Sequence, residues 1–194
     1  GADLGIAWDA DTDRVFFVDE GSILIPGDFV TAKLAAETLR HTGSGPVVYD
    51  ARASRCVADA VNGLGGTPLM GRIGHAFIKA QMREVDGVFG GEVTGHYYYR
   101  FANSYLDNGW IPALQMLALR SREQRSLSAI FADLVSRYHI TGEINFTVRD
   151  ADELLKKLEA HYRSAAKRIY HLDGLTVEMD GYWFNVRKSN TEPL

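Results

Sequence analysis

Short apolar runs alternate with amphipathic segments along most of the chain, and this alternation limits the fold more than any other feature. The runs are brief and rich in β-branched or aromatic residues, as strands are, at residues 47–50, 67–70, 87–91 and 97–99. The segments between them carry apolar residues at helical spacing, at residues 29–39, 54–64 and 75–85. Strands that alternate with helices predict an α/β domain with a mixed, mainly parallel sheet and flanking helices. Ligands bind at the carboxyl ends of the strands in such sheets.

The remaining part of the chain follows a different order. Residues 108–122 and 126–138 each predict a helix with one apolar face, and they close the first domain. Beyond them we expect a strand at 143–148, a long helix at 150–168, and strands at 175–179 and 182–186 with Asp180-Gly181 as the hairpin turn. This βαββ order predicts a second, smaller α+β domain.

Three carboxylates, Asp9, Asp11 and Asp13, stand at alternate positions between strand-like runs at residues 4–8 and 15–18. Short acidic side chains that converge on one point repel each other unless a hard cation sits between them. The loop therefore predicts a site for Mg²⁺ or Ca²⁺.

Three other interpretations fit parts of this loop. With Glu20, the aspartates occupy positions one, three, five and twelve of an EF-hand, but Arg14 replaces the required glycine at position six and the flanks are not helical. We set the EF-hand aside. A strand that ends in Asp-x-Asp also occurs in aspartyl-nucleophile phosphatases, where the first carboxylate attacks phosphate. That interpretation and an acidic surface turn both stay open on these residues alone.

The composition excludes an extended basic surface. A net charge of -4 and a pI near 5.9 give no electrostatic footprint for nucleic acid or an anionic membrane, so any phosphate binding must be local. No apolar run has the length of a membrane span, and we expect a cytoplasmic location. The single cysteine, Cys56, excludes an internal disulfide, and its apolar setting predicts burial. Because the chain starts at Gly1 without a methionine, we expect a fragment.

Two further loops carry groups that suit a sugar phosphate. Residues 90–96 place Glu92, Thr94 and His96 among three glycines just after a strand, and an exposed Glu92 could accept hydrogen bonds from vicinal sugar hydroxyls. Residues 187–192 follow the last strand and combine two cations, two hydroxyls and an amide, which are phosphate-binding groups. A polar loop with a surface histidine and a solvated turn are the respective alternatives.

Other candidate groups follow predicted strands. Arg52 and Arg55 come just after the strand at 47–50, where they could face a ligand. His75 opens a helix, either as a ligand contact or, more simply, as the helix cap.

Together these pieces resemble the α-D-phosphohexomutase family, in its phosphomannomutase/phosphoglucomutase branch, over essentially the whole chain. That family carries an Asp-Gly-Asp-x-Asp-Arg metal loop, a Gly-Glu-x-Ser-Gly-His sugar loop and an Arg-x-Ser-Asn-Thr-x-Pro phosphate loop, in that order. The corresponding segments here are Asp9-Ala10-Asp11-Thr12-Asp13-Arg14, Gly91-Glu92-Val93-Thr94-Gly95-His96 and Arg187-Lys188-Ser189-Asn190-Thr191-Glu192-Pro193. Residues 74–79 resemble a further family segment whose histidine and lysine, here His75 and Lys79, border the active site.

The resemblance implies a four-domain enzyme that interconverts hexose 1-phosphate and 6-phosphate, of mannose or glucose, through a phosphoserine and a hexose 1,6-bisphosphate, which also serves as activator. It implies Mg²⁺ bound by Asp9, Asp11 and Asp13, and catalytic roles for Arg14 beside the phosphoryl group and for His75 in proton transfer. The substrate-binding residues that it implies are Arg52, Lys79, Glu92, Thr94, His96, Arg187, Ser189, Asn190 and Thr191.

The same resemblance implies the domain limits. Residues 1–24 correspond to the tail of domain two with the metal loop, residues 25–140 to the α/β sugar-binding domain three, and residues 141–194 to a truncated α+β phosphate-binding domain. Ala10 and Thr94 replace the usual glycine and serine, and the serine-histidine nucleophile loop of the family does not occur in this sequence. We therefore expect the fragment to be inactive alone. A non-catalytic sugar-phosphate-binding module is the alternative. Val93, where glucosamine-phosphate mutases carry glutamine, argues against an amino sugar.

Overall fold

The computed structural model describes residues 1–188, so Ser189, Asn190 and Thr191 lie outside the described residues. The chain divides into two compact units, Gly1–Ile140 and Thr141–Leu194. Within the described residues, none of the helices combines the length and the apolar composition that crossing a membrane requires.

The first unit begins with an antiparallel hairpin of β1 (Gly5–Trp8) and β2 (Val15–Val18), in which Trp8 pairs with Val15. Val15 and Phe17 are fully buried, because alternate residues of a strand point to the same face. Residues 9–14, which we call the carboxylate loop, connect the two strands. Its strand flanks agree with the rejection of the EF-hand.

A five-stranded sheet in the order β4-β3-β5-β6-β7 forms the centre of this unit. Its strands are β3 (Pro46–Asp50), β4 (Thr67–Gly71), β5 (Phe89–Gly91), β6 (Tyr97–Phe101) and β7 (Ser104–Asp107). The mixed α/β fold is thus confirmed, but the sheet is less parallel than expected: β3 is parallel to β4 and β5, whereas β6 is antiparallel to both β5 and β7. The reason is that the connections after β5 and β6 are too short for a crossover helix.

Five helices cover the two faces of the sheet. They are α1 (Gly27–Thr42), α2 (Arg55–Gly63), α3 (His75–Glu84), α4 (Trp110–Glu123) and α5 (Leu127–Arg137). The larger core contains residues of α1, α2, α4 and α5 together with Val47 and Tyr97, and the smaller one joins Ile78 of α3 to Val48 and Tyr98. Neighbouring strand residues thus enter different cores, as the alternation of side chains in a strand requires.

The second unit contains α6 (Ala151–Tyr162) and an antiparallel sheet in the order β10-β9-β8, formed by β8 (Arg168–Tyr170), β9 (Leu175–Glu178) and β10 (Trp183–Val186). The hairpin turn at Asp180-Gly181 is confirmed: Met179 N donates to Tyr182 O at 2.8 Å, and Gly181 has a φ of 86°.

Two expectations for this unit are wrong. No strand occurs in the described residues 141–150, and Ile144 and Phe146 are 63% and 70% exposed, since no other strand pairs with this segment. The helix also ends at Tyr162 rather than near residue 168, because β8 takes Arg168 into the sheet opposite Glu178.

Candidate active site

The carboxyl ends of β3 and β5 are adjacent, because these strands are parallel neighbours. Asp50 ends β3, and Arg52 follows two residues later. Glu92 directly follows β5. Val93 N donates to Asp50 Oδ2 at 3.0 Å, so the two loops are directly joined. This is the edge at which the sequence predicts ligand binding.

The carboxylate loop brings its three aspartates together. Ligand oxygens of Asp9, Asp11 and Asp13 all lie within 4.8 Å of one another. Three converging carboxylates are a donor set of the kind that hard divalent cations prefer, so the residues present fit Mg²⁺. Arg14 closes the loop: its Nε donates to Asp9 Oδ2 at 2.6 Å and its backbone N to Asp9 Oδ1 at 3.2 Å.

The pKa values of these groups follow their surroundings. Burial acts to raise the pKa of Asp9, but the hydrogen bonds and charge of Arg14 outweigh it, and the pKa is lowered. Burial raises the pKa of Asp13, and the neighbouring carboxylates Asp107, Asp11 and Asp9 add to this against the charge of His96. Negative charge is therefore less favourable at Asp13 than at Asp9.

The loop of residues 92–96 holds the carboxylate hairpin in place. Val15 N donates to Gly95 O at 3.1 Å, and Arg14 and His96 form an isolated antiparallel bridge. At the end of β1, Trp8 Nε1 donates to Gly109 O at 3.0 Å, and the Trp8 ring stacks on the Trp110 ring with the centroids 4.6 Å apart. The proposed metal loop and sugar loop are thus parts of one structure.

His96 lies between two acids. Its Nδ1 is 3.2 Å from Asp107 Oδ2 and 3.7 Å from Asp13 Oδ2. Burial acts to lower the pKa of His96, but the hydrogen bond and charge of Asp107 and the charges of Glu92 and Asp13 prevail, and the pKa is raised. The sequence prediction missed Asp107, because it ends β7, a strand that was not predicted. The four residues of β7, Ser-Tyr-Leu-Asp, carry no polar and apolar alternation that would have indicated a strand.

Glu92 is buried, so its expected exposure is wrong: the residue is 3% exposed. Tyr98 Oη donates to Oε1, Gly74 N donates to Oε2 at 3.1 Å, and Arg52 Nη2 lies 3.7 Å from Oε2. The cause is a tight turn after β5, in which Glu92 N donates to His96 O at 2.9 Å, so that the side chain points inward. Each carboxylate oxygen can still accept a further bond.

The remaining predicted residues of the first unit lie on α3 and in the 92–96 loop. His75 is the first residue of α3 and is exposed, and its ring centroid is 6.5 Å from that of His96. The simpler expectation that His75 caps α3 is wrong, since Gly74 occupies the cap position and no side chain makes a cap hydrogen bond. Lys79 is half-buried on α3, and Thr94 is half-buried in the turn between β5 and β6.

Two predictions concern groups elsewhere. Arg187 directly follows β10 in the second unit, where its Nη2 lies 3.7 Å from Glu143 Oε1. Cys56 is fully buried on α2, as expected, and burial raises the pKa of its thiol.

An α/β/α sheet with a carboxylate loop and a Gly-Glu-x-Thr-Gly-His loop at one edge defines a protein of the phosphohexomutase class. The chain belongs to the phosphoglucomutase/phosphomannomutase family: residues 26–138 match its alpha/beta/alpha domain III, and residues 143–194 match its C-terminal domain. The resemblance inferred from the sequence is thereby confirmed.

Individual relatives agree with this assignment. The phosphomannomutase of Escherichia coli K12 is 37% identical over 195 residues, which is 100% of this chain and 42% of the relative. A solved phosphoglucomutase/phosphomannomutase family protein from Burkholderia thailandensis has a TM-score of 0.85 and 30% identity, covering 99% of this chain and 41% of that protein. The chain thus spans less than half the length of the relatives that it matches.

A more distant structure shares the fold. The N-acetylphosphoglucosamine mutase of Aspergillus fumigatus, solved in complex with GlcNAc-6P and magnesium, has a TM-score of 0.55 and 14% identity, covering 81% of this chain and 40% of that protein.

Proposed function

We propose that this chain supplies the metal loop, the sugar-binding loop and the second phosphate-binding loop of a mutase that interconverts hexose 1-phosphate and hexose 6-phosphate of mannose or glucose. The observation that carries the proposal is the direct junction of the carboxylate loop with the 92–96 loop through Val15, Gly95 and the Arg14–His96 bridge. This junction supports the proposal, because phosphoryl transfer to a sugar hydroxyl requires the group that binds the phosphoryl metal and the group that binds the sugar to lie side by side.

Asp9, Asp11 and Asp13 would hold Mg²⁺, which supplies charge neutralisation for a transferring phosphoryl group. Arg14 fixes Asp9 with two hydrogen bonds and adds positive charge at the same place. Glu92, Thr94 and His96 bind sugar hydroxyls, with Arg52 and Lys79 on the flanking elements. Arg187, Ser189, Asn190 and Thr191 bind the phosphate that does not react.

His75 is the proposed group for proton transfer at the sugar oxygen. It is exposed at the start of α3, and its ring lies near the His96 ring. An exposed imidazole can exchange its proton with water between turnovers, which a general acid or base requires.

The aspartyl-nucleophile alternative is less well supported. Both carboxylate oxygens of Asp9 accept hydrogen bonds from Arg14. In addition, among the strands of the described residues 1–188, β1 pairs only with β2, in a two-stranded antiparallel sheet, and does not belong to the parallel part of the large sheet. A non-catalytic module remains the other candidate, because the serine-histidine nucleophile loop does not occur in these residues.

A coupled mutase assay distinguishes these possibilities. The complete gene product that contains this chain should convert mannose or glucose 1-phosphate to the 6-phosphate with Mg²⁺ and a catalytic amount of hexose 1,6-bisphosphate, whereas residues 1–194 alone should stay at background. Turnover by residues 1–194 alone would contradict the proposal, as would a folded gene product without mutase activity.

Glu92→Ala in the active gene product tests the sugar site. Hydrogen bonds to a charged group are worth about 1.5 to 3 kcal/mol each, so kcat/KM should fall by about tenfold or more. Glu84→Ala, at an exposed position at the end of α3, is the matched control and should leave kcat/KM unchanged. An unchanged kcat/KM in folded Glu92→Ala would remove the loop from the sugar site.

A further inference from the structure

Asp50 is a fully buried carboxylate to which no catalytic or binding role has been assigned above. It is 0% exposed at the end of β3, the strand that lies between β4 and β5. Its Oδ1 accepts from Arg52 N at 2.7 Å and from Arg52 Nε at 3.4 Å. Its Oδ2 accepts from Arg52 Nη2 at 2.8 Å and from Val93 N at 3.0 Å. One carboxylate therefore joins the loop after β3 to the loop after β5.

The geometry of these bonds is more informative than their contribution to stability. A buried ion pair is often no more stabilising than an apolar pair of the same volume, because both charges lose their hydration. The Asp50–Arg52 ion pair instead determines position, because Asp50 Oδ2 accepts hydrogen bonds from both the Arg52 guanidinium and the Val93 amide. Val93 directly follows Glu92, and Arg52 Nη2 lies 3.7 Å from Glu92 Oε2.

The 92–96 loop is also confined on its other side. An added Cβ at Gly27, the first residue of α1, would lie 2.7 Å from the Val93 carbonyl carbon, so the loop packs tightly on that helix. Asp50 is the charged group of β3 that binds the loop, through Val93 N. Loss of its bonds would release the loop on one side only.

We propose that Asp50 is a positioning residue for hexose recognition, which sets the separation between the Arg52 guanidinium and the Glu92 carboxylate so that both can contact one sugar. This inference rests on the proposed function. Arg52 and Glu92 belong to different loops, and the Asp50 carboxylate binds both the Arg52 guanidinium and the backbone of the 92–96 loop. Its loss should weaken sugar binding more than it slows the chemical step.

Asp50→Asn tests this with little change in volume. The amide oxygen of Asn can replace one carboxylate oxygen of Asp50, but the amide nitrogen takes the place of the other oxygen and cannot accept hydrogen bonds. One of two pairs of donors then loses its acceptor: Val93 N and Arg52 Nη2, or Arg52 N and Arg52 Nε. In the active gene product, KM for the hexose phosphate should rise by about tenfold or more while kcat changes by less than about threefold.

Glu37→Gln is the matched control. Glu37 is also buried, at 4% exposure, and also binds arginine, since Arg122 donates to it at 2.6 Å and 2.8 Å, but it contacts neither loop. A purely structural effect lowers the folded fraction, which reduces apparent kcat and leaves KM unchanged. Glu37→Gln should show only that pattern.

The double variant that combines Asp50→Asn with Arg52→Ala tests whether the two residues act together. Its KM should resemble that of the worse single variant, because both changes disrupt one network.

Amide hydrogen exchange in residues 1–194 gives a readout that does not depend on turnover. Exchange at Val93 should accelerate in Asp50→Asn by about tenfold or more beyond the change in Glu37→Gln, because local opening exposes that amide without global unfolding. An unchanged Val93 exchange rate overturns the positioning role. An active Asp50→Asn enzyme with unchanged KM overturns the role in hexose recognition. An inactive wild-type gene product instead contradicts the proposed function, and the exchange result then decides the positioning role by itself.

Discussion

Gly27→Ala should displace the 92–96 loop without changing any residue of the candidate site. Gly27 is the first residue of α1, and an ideal Cβ there would lie 2.1 Å from Val93 O, 2.7 Å from its carbonyl carbon and 2.9 Å from its Cα. All three are backbone atoms, so rotation of a side chain cannot relieve the overlap. The helix or the loop must move.

The size of the displacement sets the expected effect. Because Cβ contacts under 3.0 Å essentially do not occur, the Val93 oxygen and the added carbon must separate by roughly 1 Å, and a misplacement of that size can cost about a hundredfold in rate. We expect kcat/KM of the active gene product to fall between about tenfold and a hundredfold, according to how much of the movement α1 absorbs.

The coupled mutase assay measures this loss, and the amide chemical shifts of Val93 and Glu92 in residues 1–194 report the displacement directly. Gly63→Ala is the control, since an added Cβ there has no atom within 4 Å and the residue ends α2. It should leave kinetics unchanged and stabilise slightly, by up to about 1 kcal/mol, from helix propensity. If Gly27→Ala kept both its kcat/KM and its Val93 shift, the close approach of α1 to the loop would not position the site.

Two further predictions concern charge. In titration calorimetry, residues 1–194 should bind Mg²⁺ weakly, since Mg²⁺ gives up its waters reluctantly. Asp11→Ala should abolish this binding, and the control Asp133→Ala on α5 should not. Submicromolar binding that survives Asp11→Ala would place the metal elsewhere. Burial acts to raise the pKa of Glu37, but the hydrogen bond from Arg122 and the charges of Arg40 and Arg122 prevail, and the pKa is lowered from the ordinary 4.5. The stability that Glu37 adds over Glu37→Gln should therefore be present above pH 4.5 and lost as the pH falls through the lower folded pKa; denaturant unfolding across that range measures it, and a pH-independent difference would contradict it.

The sequence predicts elements whose signal is local. The runs that become β3, β4 and β5 are apolar and bounded by helical patterns, and each appears near its predicted position. β7 and β8 were missed because four and three residues carry little periodicity, and their pairing with β6 and β9 decides their structure. The strand expected at residues 143–148 shows the converse, because alternation alone does not supply a partner strand.

The same distinction applies to the site. The aspartates of the carboxylate loop are neighbours in sequence, so their convergence could be predicted. Asp50 binds Val93 across 43 residues, and Asp107 stands opposite Tyr98 in the register of β6 and β7, so neither role has a local signal. Glu92 could be singled out within its loop, but its burial depends on bonds from Tyr98 and Gly74, which belong to other parts of the chain.

The hairpin of β1 and β2 has a consequence for exchanging parts between relatives. Residues 5–18 precede the family's domain III match, which begins at residue 26, yet Val15 and Phe17 belong to the large core beneath the sheet. The boundary of the recurring sequence module is therefore not the boundary of the cooperative folding unit. A chimera joined at residue 26 would graft a foreign hairpin onto a core shaped for this one, whereas a junction ahead of β1 would transfer the hairpin together with the core that it completes.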